Sequence, residues 1–334
     1  MTTLLLIFAC ALLIVVGTTP VARWVSVRWG VMMDHPSPRR VHTVPIPRIG
    51  GVAMVSAVLL ALLVFEDRYG INQLASILLG AAWVSLLGAW DDRRGLRPLF
   101  KLIGQIAAAV ILLVTGVQVK LWPYEWLNYL VTVLWVVGMT NALNFIDNMD
   151  GLCGGITAIA SAFFLLFAVQ SGQYLVGGLS AALLGASIGF LIYNFNPASI
   201  FMGDTGALFL GFMLAALGIK LRFPGNVFIV TWMVPVLVLG VPIFDTVLVI
   251  VSRLRRGVHP ATPGKDHTSH RLVRTGFTTR EAVMALYLVS GALGMVAVFV
   301  TEANVTEAYL LGGAVFLAAV YAIWRLERIP LDGK

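Results

Sequence analysis

Leu4-Leu-Leu-Ile-Phe-Ala-Cys-Ala-Leu-Leu-Ile-Val-Val-Gly-Thr-Thr-Pro-Val21 runs for eighteen residues without a charge. At 1.5 Å per residue, a helix of this length crosses most of a hydrocarbon core about 30 Å thick. No basic residue precedes it and no small-x-small cleavage site follows. It therefore reads as a retained first helix rather than a signal peptide. Comparable apolar stretches recur at 3–22, 50–65, 74–90, 102–119, 127–143, 155–170, 174–193, 205–219, 227–251, 282–300 and 306–324. The composition agrees: 334 residues, 59% hydrophobic, 12% charged, mean hydropathy +0.91. Such a chain is not a water-soluble domain. The expected fold class is all-α, a polytopic membrane protein with about 11 transmembrane helices. Residues 1–334 form one integral membrane domain in this reading. Small-residue pairs such as Gly177-Gly178 and Gly312-Gly313-Ala314 suit close helix packing, within one chain or in a homodimer.

The basic residues orient the spans. With the N-terminus outside, nineteen of the 23 Lys and Arg fall in the segments on one side and at the C-terminal tail. The positive-inside rule makes that side cytoplasmic and places the C-terminus there too. One cytoplasmic loop, 253–281, is long enough to carry structure of its own. The net charge of +7 points to anionic headgroups and an anionic substrate; nucleic acid is not the expected partner. Cys10 and Cys153 read as buried thiols, with no zinc spacing around them.

Five aspartates stand against this apolar background, all on the cytoplasmic side. A carboxylate beside hydrocarbon is costly and usually has a partner or a task. Asp91-Asp92 closes the third stretch and precedes Arg93, Arg94 and Arg97. The pair reads either as a solvated helix end or as carboxylates that bind metal or act as a base. Asn141, Asn144, Asp147 and Asp150 recur every third residue and lay a polar stripe at the mouth of two apolar spans. Amide and carboxylate oxygens are the ligands that Mg²⁺ takes. Asp204 lies in Phe201-Met-Gly-Asp-Thr-Gly206, where Asp204-Thr205 reads as an N-cap for the next helix, or as a phosphate site flanked by glycines.

Three other regions complete the set. Lys265-Asp-His267-Thr-Ser-His270-Arg271 combines histidine and arginine, a pairing suited to a pyrophosphate. Asp34, Arg39, Arg40, His42 and Arg48 form a basic first inner loop, either a headgroup contact or a hold on a lipid phosphate. Asp245 lies inside the ninth stretch, where pairing with an arginine or a functional role are both open. Oxygen ligands, a base, cations and a membrane together suit phosphoryl transfer between a soluble nucleotide and a lipid.

These residues resemble the polyprenyl-phosphate N-acetylhexosamine-1-phosphate transferases over nearly the whole chain. The likeness rests on the Asp91-Asp92 pair, Asn141-x-x-Asn-Phe-x-Asp-x-x-Asp-Gly-Leu152 and Phe201-Met-Gly-Asp-Thr-Gly-Ala-Leu208, in order and spacing. It implies transfer of N-acetylhexosamine-1-phosphate from a UDP-sugar to undecaprenyl or decaprenyl phosphate, with release of UMP. The reaction would begin an envelope glycan, such as teichoic acid or lipopolysaccharide, at the plasma membrane. By resemblance, Asp204 and Asn144 would hold Mg²⁺, with Mn²⁺ as a substitute. Asp91 or Asp92 would act on the lipid phosphate, and Asp147 and Asp150 would shape the nucleotide and metal site. Asn194 would support the pocket and Phe201 would lie near uracil. His267, His270 and Arg271 would grip the pyrophosphate, with Arg40 and His42 also on substrate.

Two departures bear on the substrate. Ser269 stands where the His-x-His-His loop has a histidine, and Asn148 replaces a glycine of the usual Asp-Gly-x-Asp-Gly turn. The first favours UDP-N-acetylglucosamine or a close relative over the branch that uses UDP-MurNAc-pentapeptide. An ion-coupled transporter is the alternative class, but it calls for mid-membrane acids and an inverted repeat.

Overall fold

The computed structural model describes residues 1–34, 44–63, 71–223, 228–262 and 264–330. They form two compact units, Met1–Leu221 and Arg222–Lys334. The first unit holds α1 (Thr2–Trp29), α2 (Gly50–Leu63), α3 (Ile71–Arg94), α4 (Pro98–Val114), α5 (Glu125–Ile146), α6 (Leu152–Gln170), α7 (Tyr174–Asn194) and α8 (Gly203–Lys220). The second holds α9 (Phe228–Thr231), α10 (Met233–Val238), α11 (Gly240–Arg255), α12 (Thr268–Arg274), α13 (Thr279–Glu302) and α14 (Val305–Leu326). Strands β1 (Met33–Asp34) and β2 (Ile46–Pro47) pair antiparallel, a small exception to the all-helical reading.

Among the described residues, eight helices are long and apolar enough to cross a membrane. Helices α2 and α4 are shorter apolar helices. The protein is a multi-pass helical membrane protein. The stretch 227–251 departs from the expected single span, since it breaks into α9, α10 and α11. Pro235 and Pro242 lack the N–H that a continuing helix needs, and Gly240 between them lowers helix propensity.

In the first unit α8 is the central helix. It is apolar on all sides, and fifteen of its eighteen residues are buried. Helices α3, α5 and α2 pack against it, while α7 packs against α1 and α6. Glycines let these backbones meet. A Cβ on Gly88 of α3 would lie 2.3 Å from the Asp204 carbonyl oxygen, and one on Gly51 of α2 would lie 2.3 Å from the Gly206 nitrogen. A Cβ on Gly211 of α8 would lie 2.7 Å from Met139 O of α5. Side chains larger than hydrogen at these points would push α8 away from its neighbours.

The second unit is organised by α13, which packs on α10, α11 and α12. Capping boxes start α13, from Thr278 and Glu281, and α14, from Asn304 and Glu307.

Candidate active site

The N-terminus of α8 is the focus of the first unit. Asp92, at the end of α3, reaches it from outside. Its Oδ1 accepts from the Asp204 backbone N–H at 2.9 Å. Its Oδ2 accepts from the Thr205 N–H at 2.9 Å and from the Thr205 hydroxyl at 2.8 Å. Asp92 thus caps α8 across the fold. The local reading of Asp204-Thr205 as the cap is corrected: α8 begins at Gly203, and its own N-cap residue, Met202, makes no side-chain cap. The acceptor comes instead from a residue 112 positions away. Gly203 takes φ 67°, and a Cβ there would lie 2.6 Å from Asp92 Oδ2, so glycine fits the turn on both counts.

The Asp204 side chain, freed from capping, sits between two cations. Arg48 Nη2 donates to Asp204 Oδ1 at 3.0 Å, and Arg48 Nε lies 3.3 Å from Asp92 Oδ1. Lys101 Nζ bonds Asp204 Oδ2, lies 3.0 Å from Asp91 Oδ2 and donates to Asn144 Oδ1 at 3.2 Å. Three oxygens from three helices therefore converge on one ammonium. The other Asp91 oxygen accepts from the Leu96 N–H at 2.6 Å and fixes the end of α3.

Neither Arg48 nor Lys101 was singled out by the motifs as a central residue. Lys101 lies on the buried face of α4 with Gln105, one turn further on. Gln105 and Asn141 exchange amide hydrogen bonds at 2.7 and 3.2 Å. The pairs Lys101–Asn144 and Gln105–Asn141 thus join α4 to α5. Two polar residues four apart on an apolar helix carried that signal. Arg48 is set by its backbone. Its N–H donates to Met32 O at 2.7 Å, Phe201 N–H donates to Pro47 O at 2.8 Å, and Gly50 N–H donates to Phe201 O at 2.9 Å. The first inner loop is stitched to the segment that precedes α8.

The stripe after α5 divides. Asp147 makes no side-chain hydrogen bond or ion pair among the described residues. It lies in the turn beyond α5, and desolvation pushes its carboxyl up to about 7. Arg48 opposes that rise, while Asp204, Asp92 and Asp150 add to it. Asp150 faces a different task. Its Oδ2 accepts from Asn196 Nδ2 and from the Ala198 N–H, both at 3.0 Å. Asn194 works beside it, accepting from Gly151 N–H at 3.1 Å and donating to Ile200 O at 2.9 Å. These two residues hold the 195–202 loop to the start of α6. Phe201, half-buried, belongs to this loop. Arg40 and His42 lie outside the described residues.

Among the described residues no three carboxylates or histidines are already grouped to hold a metal ion, although the oxygens present are of the type a hard cation takes. Asp147 offers an unengaged carboxylate, and Asp91, Asp204 and Asn144 already direct oxygens at a positive charge. Arg48 and Lys101 suit anionic phosphate oxygens.

The second unit contains the remaining expected residues. His267 Nδ1 lies 2.7 Å from Asp245 Oδ2, and the Thr268 N–H donates to Asp245 Oδ1 at 2.6 Å. Of the alternatives left open for Asp245, an arginine partner is not what the described residues provide; the partner is this imidazole. His270 stands edge-on to His267, with ring centroids 6.1 Å apart. Desolvation, then the neighbouring His267 and Lys265, brings its pKa down to about 4. Arg271 is fully buried. Its guanidinium donates to Asp266 O, Ser252 Oγ, Leu326 O and Glu327. These bonds join α12 to the end of α11, the end of α14 and the residue that follows it. Asp266 is held by Arg253 at 2.7 and 2.9 Å and by Arg256 at 2.6 Å.

The fold and the first unit's site define a polytopic membrane protein with carboxylates and paired cations gathered around one helix N-terminus. Residues 74–222 match the family model of glycosyl transferase family 4. Full-length relatives are similar as well. A probable undecaprenyl-phosphate N-acetylglucosaminyl 1-phosphate transferase of Bacillus subtilis (strain 168) is 34% identical over 307 residues, covering 89% of this chain and 85% of the relative. The decaprenyl-phosphate N-acetylglucosaminephosphotransferase of Mycolicibacterium smegmatis is 32% identical, covering 99% and 90%. The undecaprenyl-phosphate alpha-N-acetylglucosaminyl 1-phosphate transferase of Yersinia pestis is 27% identical, covering 92% and 89%. The chain belongs to glycosyl transferase family 4, in agreement with the resemblance of its motifs to the polyprenyl-phosphate N-acetylhexosamine-1-phosphate transferases.

Proposed function

We propose that this protein transfers N-acetylglucosamine-1-phosphate from UDP-N-acetylglucosamine to a polyprenyl phosphate and releases UMP. The observation that carries this reading is the cluster at the head of α8. There Asp91, Asp92, Asp147 and Asp204 stand with Arg48 and Lys101 in a chain whose relatives bear names for this activity.

In the reaction an oxygen of the lipid phosphate forms a bond to the β-phosphorus, and the bond from that phosphorus to the UMP oxygen breaks. UMP departs with the electron pair. Arg48 and Lys101 hold non-bridging phosphate oxygens and neutralise the charge gathered on them. Asp92, with both oxygens engaged at the helix head, keeps Asp204 and Thr205 in place. Asp91 is the carboxylate of the pair with freedom to meet the lipid phosphate, once Lys101 turns to substrate. Mg²⁺, or Mn²⁺ in its place, would be held by Asp204, Asn144 and Asp147, and would supply charge neutralisation for the diphosphate. Substrates meet at the cytoplasmic face of the plasma membrane, with the N-terminus outside and the C-terminus inside. The distribution of Lys and Arg supports that orientation.

The test is UMP release by purified protein in liposomes. UDP-N-acetylglucosamine and UDP-MurNAc-pentapeptide are each supplied with undecaprenyl or decaprenyl phosphate. Release with UDP-N-acetylglucosamine that requires both lipid and divalent cation is expected. No release with either lipid, or release with the pentapeptide substrate alone, overturns the proposal. Labelled UDP-sugar without lipid separates the direct route from one through an aspartyl intermediate, because only the latter leaves label on the protein.

A further inference from the structure

Asn141 opens the polar stripe of α5, and the site around α8 leaves it without a role. Its partner is Gln105 of α4, an amide 1% exposed. The two exchange bonds in both directions. Asn141 Nδ2 donates to Gln105 Oε1 at 2.7 Å, and Gln105 Nε2 donates to Asn141 Oδ1 at 3.2 Å. Asn141 Nδ2 also donates to Val137 O at 2.8 Å, one turn back on its own helix. Replacing both partners of such a bond by apolar groups of the same shape is nearly neutral for stability. What the amides add over two leucines is direction, because hydrogen bonds weaken steeply when their angles are wrong.

Helix α4 is held at the same level from its other side. Trp83 of α3 donates to Gly104 O at 2.8 Å, and a Cβ on Gly104 would lie 2.6 Å from Leu87 Cδ2. Residues 104 and 105 therefore fix how far α4 slides and how it is rotated between α3 and α5. Lys101 stands four residues before Gln105, about 40° round the helix and one turn nearer the head of α8. Its ammonium meets Asp91 Oδ2 at 3.0 Å, Asn144 Oδ1 at 3.2 Å and Asp204 Oδ2. A step from 101 to 105 on α4 corresponds to a step back from 144 to 141 on α5. The two contacts are consecutive rungs of one antiparallel register. Acceptors from α3, α5 and α8 leave the Lys101 Nζ one position. Its side chain is 15% exposed, so the stem has little room to compensate for a displaced α4.

We propose that Gln105 and Asn141 are positioning residues for the site, a role that rests on the transferase reading. Their amide pair sets the register and rotation of α4 against α5. It thereby delivers the Lys101 ammonium to the phosphate-binding position beside Asp91, Asn144 and Asp204.

Leucine variants separate register from stability. Gln105→Leu and Asn141→Leu should each lower the thermal unfolding midpoint in detergent and chelator, because each strands an amide. The Gln105→Leu/Asn141→Leu double variant strands neither and should recover most of that midpoint. Its turnover, read as UMP release, should stay about 10- to 100-fold below wild type, the scale of loss for a group misplaced by about an ångström. Lys101→Met supplies a readout that needs no activity. It lowers the midpoint in the wild-type background. In the double leucine background it should cost distinctly less, since the ammonium that it removes has already lost contacts. The same comparison in Gln105→Leu, where Asn141 keeps its bond to Val137, serves if the double variant does not fold.

Wild-type turnover in the double variant overturns the proposal. So does a Lys101→Met shift of equal size in both backgrounds, which leaves the pair as a helix contact without influence on Lys101. Absence of UMP release by the wild-type protein would instead refute the transferase reading, while the midpoint comparison still reports whether the pair holds Lys101.

Discussion

Asp92→Asn separates a carboxylate that builds the site from one that reacts in it. In the structure Asp92 accepts three hydrogen bonds from the first turn of α8 and lies 3.3 Å from Arg48 Nε. Its side chain is fully buried. Asparagine retains one acceptor oxygen. Its amide nitrogen must then face either the Asp204 N–H or the Thr205 pair, where donor meets donor. Hydrogen bonds to a charged acceptor contribute about 1.5–3 kcal/mol each, and the loss of at least one with the charge on Arg48 left weaker places the cost at about 3 kcal/mol. Asp91→Asn should cost less, because Asp91, whose side-chain bonds include those to the Leu96 N–H and Lys101, does not cap the first turn of α8. Thermal unfolding of both variants in the same detergent measures the difference, with UMP release followed in parallel. Asp92→Asn should lower the unfolding midpoint clearly and lose activity. Asp91→Asn should lose activity with a midpoint closer to wild type. The reasoning fails if Asp92→Asn unfolds at the wild-type temperature.

Lys101→Met removes the ammonium shared by Asp91, Asn144 and Asp204, and in chelator it should destabilise the protein by about 2 kcal/mol, less than a fully buried pair would lose. Added Mg²⁺ or Mn²⁺ should restore more of the unfolding midpoint in this variant than in wild type; equal responses would sink the idea that those oxygens can take a metal. Asp147 gives a stability signature of opposite sign, since its folded pKa of about 7 lies above the unfolded 3.8. In metal-free buffer the Asp147 contribution, read as wild type minus Asp147→Asn, should fall as pH rises from about 4 to about 7, because the folded state holds the proton that the unfolded chain releases, whereas His270, lowered to about 4 from 6.5, acts in the opposite sense in both proteins. Asp147→Asn should still reduce turnover. Gly88→Ala would place a Cβ 2.3 Å from Asp204 O and 2.6 Å from Thr205 N, so it should cost about 1–3 kcal/mol and displace Asp204. Gly138→Ala, with no atom within 4 Å of its added Cβ, is the matched control and should keep both midpoint and activity.

The membrane helices were legible because apolar length is a local property: α5, α7 and α8 coincide with their expected stretches to within three residues, while α1 continues to Trp29, beyond the expected end at 22. The break at 228–255 escaped the same reasoning. Hydropathy registers Pro235, Gly240 and Pro242 as members of an apolar run, while the backbone registers two missing donors and a weak point between them. At the site, residue type was legible and role was not. Asp204 followed by Thr205 satisfies the local rule for a cap, but Asp92 provides the better acceptor across the fold. Asp150 stands in the same stripe as Asp147, yet it binds the 195–202 loop and Asp147 does not. That division depends on where residues 196 and 198 return, which spacing along the chain does not encode. Lys101 was hidden by its place just inside a helix, where it counted as one more loop cation. Arg48 depends on a main-chain register with residue 201 that no side-chain pattern announces.

The bond between Arg48 and Asp204 joins residues 156 positions apart, with Asp92 between them in the chain. That separation has a consequence for biogenesis. Arg48 leaves the ribosome well before either carboxylate, and at about 5–20 residues per second the interval to Asp204 is on the order of ten seconds or more. During it α3 enters the bilayer with Asp92 at its end and no α8 to cap. The charged ends of the early helices must stay at the aqueous face until the most buried helix of the unit arrives among them. A chain interrupted before residue 203 therefore carries Arg48, Asp91 and Asp92 without the helix head at which they meet.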